Sequence, residues 1–268
     1  MPKQASAPPP PAAVRHHRPR HGGIVAGLIL ATIPAAEAHF SWLELVDTEA
    51  GQVQVEVVFG HHPPGDRRLP PDRVVGVDVI APDGNRRAAV ADNTGWHGEL
   101  GEGGSHVVVA RQHPSFWSRT VEGGRNGSRR EYPDALSCRV SDNTMKTIVA
   151  ARVDGDPAPA VTRPVGHPLD IMPETDPTRL SAGDSLTLRV LLHGQPWQGT
   201  LRATWAGYPS AHDDDYPVHL DTGPDGRAVL ELSRGGTWLV HANAQADHPD
   251  PEVCDRQAWN AALSFTLR

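Results

Sequence analysis

Short stretches of alternating polar and apolar residues, each closed by a Gly- or Pro-rich turn, recur along this chain. The clearest is QVQVEVVF at 52–59, where Val53, Val55 and Val57 fall on one side of an extended backbone. Successive strand side chains point to opposite faces, so such a segment buries one face and wets the other. Segments 73–80, 106–111 and 144–153 repeat the pattern, separated by the turn sequences PPGD, PDGN and GEGG. A further set follows at 185–192, 200–206, 227–232, 236–243 and 259–267. One weak helical stretch lies near 133–143, and no βαβ alternation or internal repeat is present. The expectation is an all-β protein built as β-sandwiches, immunoglobulin-like in the broad sense. Segment 154–168 carries four prolines and little periodicity, which reads as a boundary. It divides the chain into an N-terminal β-rich module, 39–160, and a C-terminal immunoglobulin-like β-sandwich, 161–268.

Ahead of the strands lies a different kind of sequence. Arg15, Arg18 and Arg20 precede the apolar run IVAGLILATIPAA at 24–36, and the small-x-small sequence Ala36-Glu37-Ala38 follows. That is the layout of a cleaved secretory signal peptide over residues 1–38. The run is too short to span a bilayer comfortably, which takes roughly 20 apolar residues. The expected location is periplasmic or secreted. Cleavage after Ala38 makes His39 the first residue of the mature chain.

Export bears on the rest of the composition. The only cysteines are Cys138 and Cys254, and two cysteines in an exported protein read most simply as one disulfide. The leader takes Lys3, Arg15, Arg18 and Arg20 with it against Glu37, so the formal charge moves from −7 to −10. A chain of that charge is a poor partner for nucleic acid. No G-x-S-x-G, H-E-x-x-H, P-loop or C-x-x-C pattern occurs, and the expectation is a protein that is not an enzyme.

The unusual residue is histidine, with 15 in the chain. An N-terminal His39 offers two nitrogens, its imidazole and an α-amino group whose pKa near 7.7–8 lets it ligate around neutral pH. Gly60-His61-His62-Pro63 closes the strongest strand, where alternation turns one of the two imidazoles to any given site unless the backbone turns between them, as Gly60 and Pro63 allow. His241 interrupts the apolar strand GTWLVHAN. His212-Asp213-Asp214-Asp215-Tyr216 combines imidazole and carboxylates and also fits a solvated loop. The candidate metal ligands are therefore His39, His61, His62 and His241. Nitrogen donors of this kind suit nickel, cobalt, copper and zinc.

Three segments together resemble a known family. They are AHFSWLEL at the mature end, FGHHPPGDRRLPPDRV, and the second-module stretch from DIMPETDPTRL to TWLVHANAQ. The chain is similar to bacterial periplasmic accessory proteins of nickel/cobalt uptake, much of whose family is a domain of unknown function. The resemblance implies two β-rich modules, a divalent transition metal, nickel or cobalt first, and a membrane metal-transporter component as partner. It carries the family's leading histidine onto His39 and its Gly-His onto Gly60-His61. A further family histidine falls on Ala244, with His241 the nearest substitute. Two other readings stand beside metal delivery. One is a non-metal interaction module for a membrane transporter or cell-surface partner. The other is a histidine-brace copper oxygenase.

Overall fold

The computed structural model describes residues 39–49, 51–150, 159–212 and 215–267. The signal-peptide reading falls on residues outside these. Strands dominate, and seven of them bear on the site: β1 (Phe40–Glu49), β2 (Gln52–Gly60), β3 (Ser105–Gln112), β4 (Ser137–Ala150), β5 (Thr200–Trp205), β6 (Gly236–Asp247) and β7 (Arg256–Leu267). The alternation read from the sequence sets their faces. In β2, Val53, Val55 and Val57 are buried while Gln52 is exposed.

Three sheets stack into a layered sandwich. A five-stranded sheet holds β1 and β2 with the strands at 67–68, 90–92 and 95–99. The central sheet has ten strands, with the internal order β5, β6, β7, β4, β3. A four-stranded sheet is formed by 169–173, 185–192, 195–196 and 227–231. One core lies between the first sheet and the central one, where Trp42, Leu43, Val55 and Val57 meet Val108, Met145, Leu239 and Ala262. The other lies on the opposite face of the central sheet, where Val107, Val240, Leu263 and Phe265 meet Leu186, Leu188, Val190 and Leu230. The all-β sandwich expected from the periodicity is what the chain builds.

The expected division at 160/161 does not separate the sheets. β4, from before it, pairs in parallel with β7, from after it, in unbroken register from Arg139↔Arg256 to Ile148↔Phe265. Parallel neighbours need a long crossover, and here the crossover is nearly the whole second half of the chain. The described residues accordingly form one compact unit. Part of the proline-rich stretch, 151–158, lies outside the described residues. The next residues, Pro159–Thr162, form a 3-10 turn that buries Ala160 and Val161 in the second core. The weak helical stretch near 133–143 is instead a turn followed by the start of β4.

Cys138 and Cys254 are bonded, with Cα atoms 4.8 Å apart and both side chains buried. The bridge ties the start of β4 to the loop before β7. Asp255 reinforces the join by accepting the Cys138 amide at 2.7 Å and pairing with Arg129.

β1 and β2 form an antiparallel hairpin turning at Gly51, whose φ of 78° suits a residue without Cβ. The pairing is Glu49↔Gln52, Thr48↔Val53 and Asp47↔Gln54. A bulge then leaves Val46 unpaired and exposed, and the register resumes one residue shifted, from Leu45↔Val55 to Phe40↔Gly60.

Candidate metal centre

Following that register one step past Phe40↔Gly60 sets His39 across from His61. Their ring centroids are 4.2 Å apart with the planes tilted by 52°. His39 also stacks on Phe59, at 5.0 Å and 13°. His39 is exposed, whereas His61 is 6% exposed, so the pair has one solvent-facing member and one held in the protein. Tyr216 fixes the backbone beneath by donating its hydroxyl to the His61 carbonyl at 3.1 Å. Gly60 admits a carboxylate at the same place, since a Cβ on it would lie 2.8 Å from Asp66 Oδ2.

His62, in the bend that follows β2, goes the other way. Its Nδ1 is 3.2 Å from Thr204 Oγ1 on β5, and its ring packs against Tyr216 and Tyr208 at 5.1 and 5.7 Å. The Gly207 amide donates to the Pro63 carbonyl at 3.2 Å and closes this turn against the loop after β5. His61 and His62 therefore face different neighbours.

His241, on β6, stacks on Phe40 rather than on His39, at 4.0 Å and 15°. It is 7% exposed. Burial, with Arg202 adding to it, pushes its pKa down to about 3, against the opposing effect of the Asn260 side chain as an acceptor, so the imidazole is neutral near pH 7. Its Nε2 has no hydrogen-bond partner among the described residues. Ala244 lies on the other face of β6, buried in the second core with Trp238, Val240 and Ala242. A histidine there would point away from Phe40, so position 244 is not a place from which His39 could be reached.

Of the four expected ligands, then, His39 and His61 come together while His62 and His241 have other partners. In the 212–216 stretch, Asp213 and Asp214 lie outside the described residues, and Tyr216 supports the site through a backbone contact instead of ligating. Tyr216 and Phe59 stand in segments singled out in the sequence for their histidines, and neither was given a role of its own there. Their roles come from loop closure and strand pairing. Among the described residues no group of three or more His, Cys, Asp or Glu side chains is placed to hold a metal ion. Two imidazoles are therefore the side-chain donor set at this corner.

The family model described as a domain of unknown function, DUF4198, matches residues 36–246. The chain belongs to the DUF4198 family. The matched span takes in His39, His61, His62 and His241, and of the disulfide it includes Cys138 but not Cys254. Comparison of this DUF4198 chain with curated proteins returned no significant match. No helix among its described residues is long and apolar enough to cross a membrane.

Proposed function

We propose that this protein is exported, cleaved after Ala38, and binds one divalent transition metal through the imidazole and α-amino nitrogens of His39 and the imidazole of His61. The observation that carries the reading is the 4.2 Å approach of the two rings across the β1–β2 pair. A three-nitrogen site normally needs three residues. A terminal histidine supplies two of them, so two residues suffice, which accommodates the lack of any larger ligand group among the described residues. Nitrogen-only donors favour nickel, cobalt, copper or zinc over calcium or magnesium. The resemblance to nickel/cobalt-uptake accessory proteins supports nickel or cobalt and delivery to a membrane transporter. The role is binding and handover, outside the cytoplasm, without turnover.

The test compares two forms of one protein. A chain beginning at His39 binds about one equivalent of Ni²⁺ or Co²⁺ in a calorimetric titration. The same chain with one alanine ahead of His39 loses most of that affinity, because the amine has become an amide. Equal affinity in both forms sinks the reading. Binding of none of these metals by the cleaved form supports instead an interaction module without metal, the reading that the small ligand group favours.

A further inference from the structure

On the face of the central sheet that meets β1, the side chains change character at one level. Val108 and Ala110 on β3, Met145 on β4, Leu239 on β6 and Ala262 on β7 are apolar and belong to the first core. The next positions on the same faces, two residues along each strand, are Gln112, Asn143, His241 and Asn260, with Asn243 and Gln245 beyond His241. The amides are joined in one line. Gln245 donates to Asn243 at 2.8 Å, Asn243 to Asn260 at 2.7 Å, Asn260 to Asn143 at 2.8 Å, and Asn143 to the Gln112 Oε1 at 3.2 Å. Every donor points the same way, the arrangement in which successive hydrogen bonds polarise one another.

This line meets the start of β1 twice. Ser41 donates its hydroxyl to the same Gln112 Oε1, at 3.1 Å. Asn260 also lies diagonally across from His241 on the neighbouring strand, and the His241 ring lies flat on Phe40. Ser41 and Phe40 are the two residues that follow His39, and both are buried. A core end that needed only a wet rim has no reason to string its amides across four strands and finish on these two residues.

We propose that the amide line, acting through Gln112 on Ser41 and through Asn260 and His241 on Phe40, is a positioning frame that holds the first residues of β1 and so aims His39 at His61. Its consequence for metal affinity rests on the reading above, whereas its hold on β1 does not. None of its members is a ligand.

Gln112→Met removes the acceptor shared by Ser41 and Asn143 at similar length, and Gln112→Glu keeps an acceptor oxygen for both. Ser41→Ala cuts only the link to β1, which covers the case in which Gln112→Met does not fold. In the metal-free cleaved protein, amide hydrogen exchange at Ser41–Leu43 should quicken about tenfold or more in Gln112→Met and Ser41→Ala, as expected for stranding a buried donor or acceptor, and return towards wild type in Gln112→Glu. In titrations with Cu²⁺ or Ni²⁺ the first two variants should bind about tenfold or more weakly, with a second species in the Cu²⁺ electron paramagnetic resonance spectrum, and Gln112→Glu should restore both. Unchanged exchange overturns the frame. Faster exchange with unchanged affinity and spectrum overturns its aiming of His39. If wild type binds neither metal, the metal reading falls, and the exchange rates still decide whether the frame holds β1.

Discussion

His241 provides a quantitative check on the packing at the start of β1. Unfolded, its imidazole has a pKa near 6.5. Folded, burial against Phe40 lowers the value to about 3. Between those values the unfolded chain binds the proton and the folded one does not, so acid favours unfolding and stability rises with pH across that window. Taking 6.5 and 3 as the two pKa values, the linkage costs about 0.2 kcal/mol at pH 7 and about 2 kcal/mol at pH 5. His241→Phe keeps a flat ring for Phe40 to stack on and removes the titration. It also removes the interaction with the Asn260 side chain, but that loss is the same at both pH values. The stability of His241→Phe relative to wild type should therefore improve by about 2 kcal/mol on going from pH 7 to pH 5, from the difference of those two linkage costs. Urea unfolding of both metal-free proteins at the two pH values, at constant ionic strength, measures it. A difference that does not change with pH would mean that His241 takes up its proton in the folded state, and the buried neutral imidazole would be wrong.

Two further outcomes follow from the packing. Replacing Cys138 and Cys254 together with alanine reopens a loop spanning 116 residues and should lower stability by about 5 kcal/mol on the chain-entropy estimate, read from denaturation midpoints under oxidising and reducing conditions. The Lys146–Asp170 pair is 2.6 Å long and buried on both sides. Asp170→Asn should cost about 3–5 kcal/mol by leaving the ammonium without its counter-charge, while Lys146→Met with Asp170→Leu should cost distinctly less, as seen by thermal unfolding.

The fold class was readable because period-2 alternation is a local property, visible in QVQVEVVF without any knowledge of what packs against it. The shared central sheet was not. A proline-rich stretch looks the same whether it links two bodies or crosses over within one, and the parallel β4–β7 pair joins residues more than a hundred positions apart. At the site, His39 and His61 were legible as chemistry, and their meeting depended on register. His62 was drawn in by its place beside His61 in a turn and His241 by its place in an apolar strand near Ala244, and their neighbours Thr204 and Phe40 are tertiary partners that no spacing announces. The amide line escaped for a related reason: its members are scattered over 112–260 and align only when four strands lie side by side.

The bulge at Val46 selects which of two adjacent histidines faces the start of β1. Between Gly51 and the bulge, paired positions follow the register Glu49↔Gln52, which extended without interruption would bring His62 opposite His39. The single unpaired residue moves the count by one and puts His61 there instead. Were Val46 instead paired with Val55, the two adjacent histidines would exchange and every side chain from Leu45 back to His39 would turn over to the other face of the hairpin, whereas deleting Val46 would remove the bulge and keep His39 opposite His61. Which imidazole a processed N-terminus meets is decided seven residues away, by whether Val46 bulges out of the ladder or takes a partner in it.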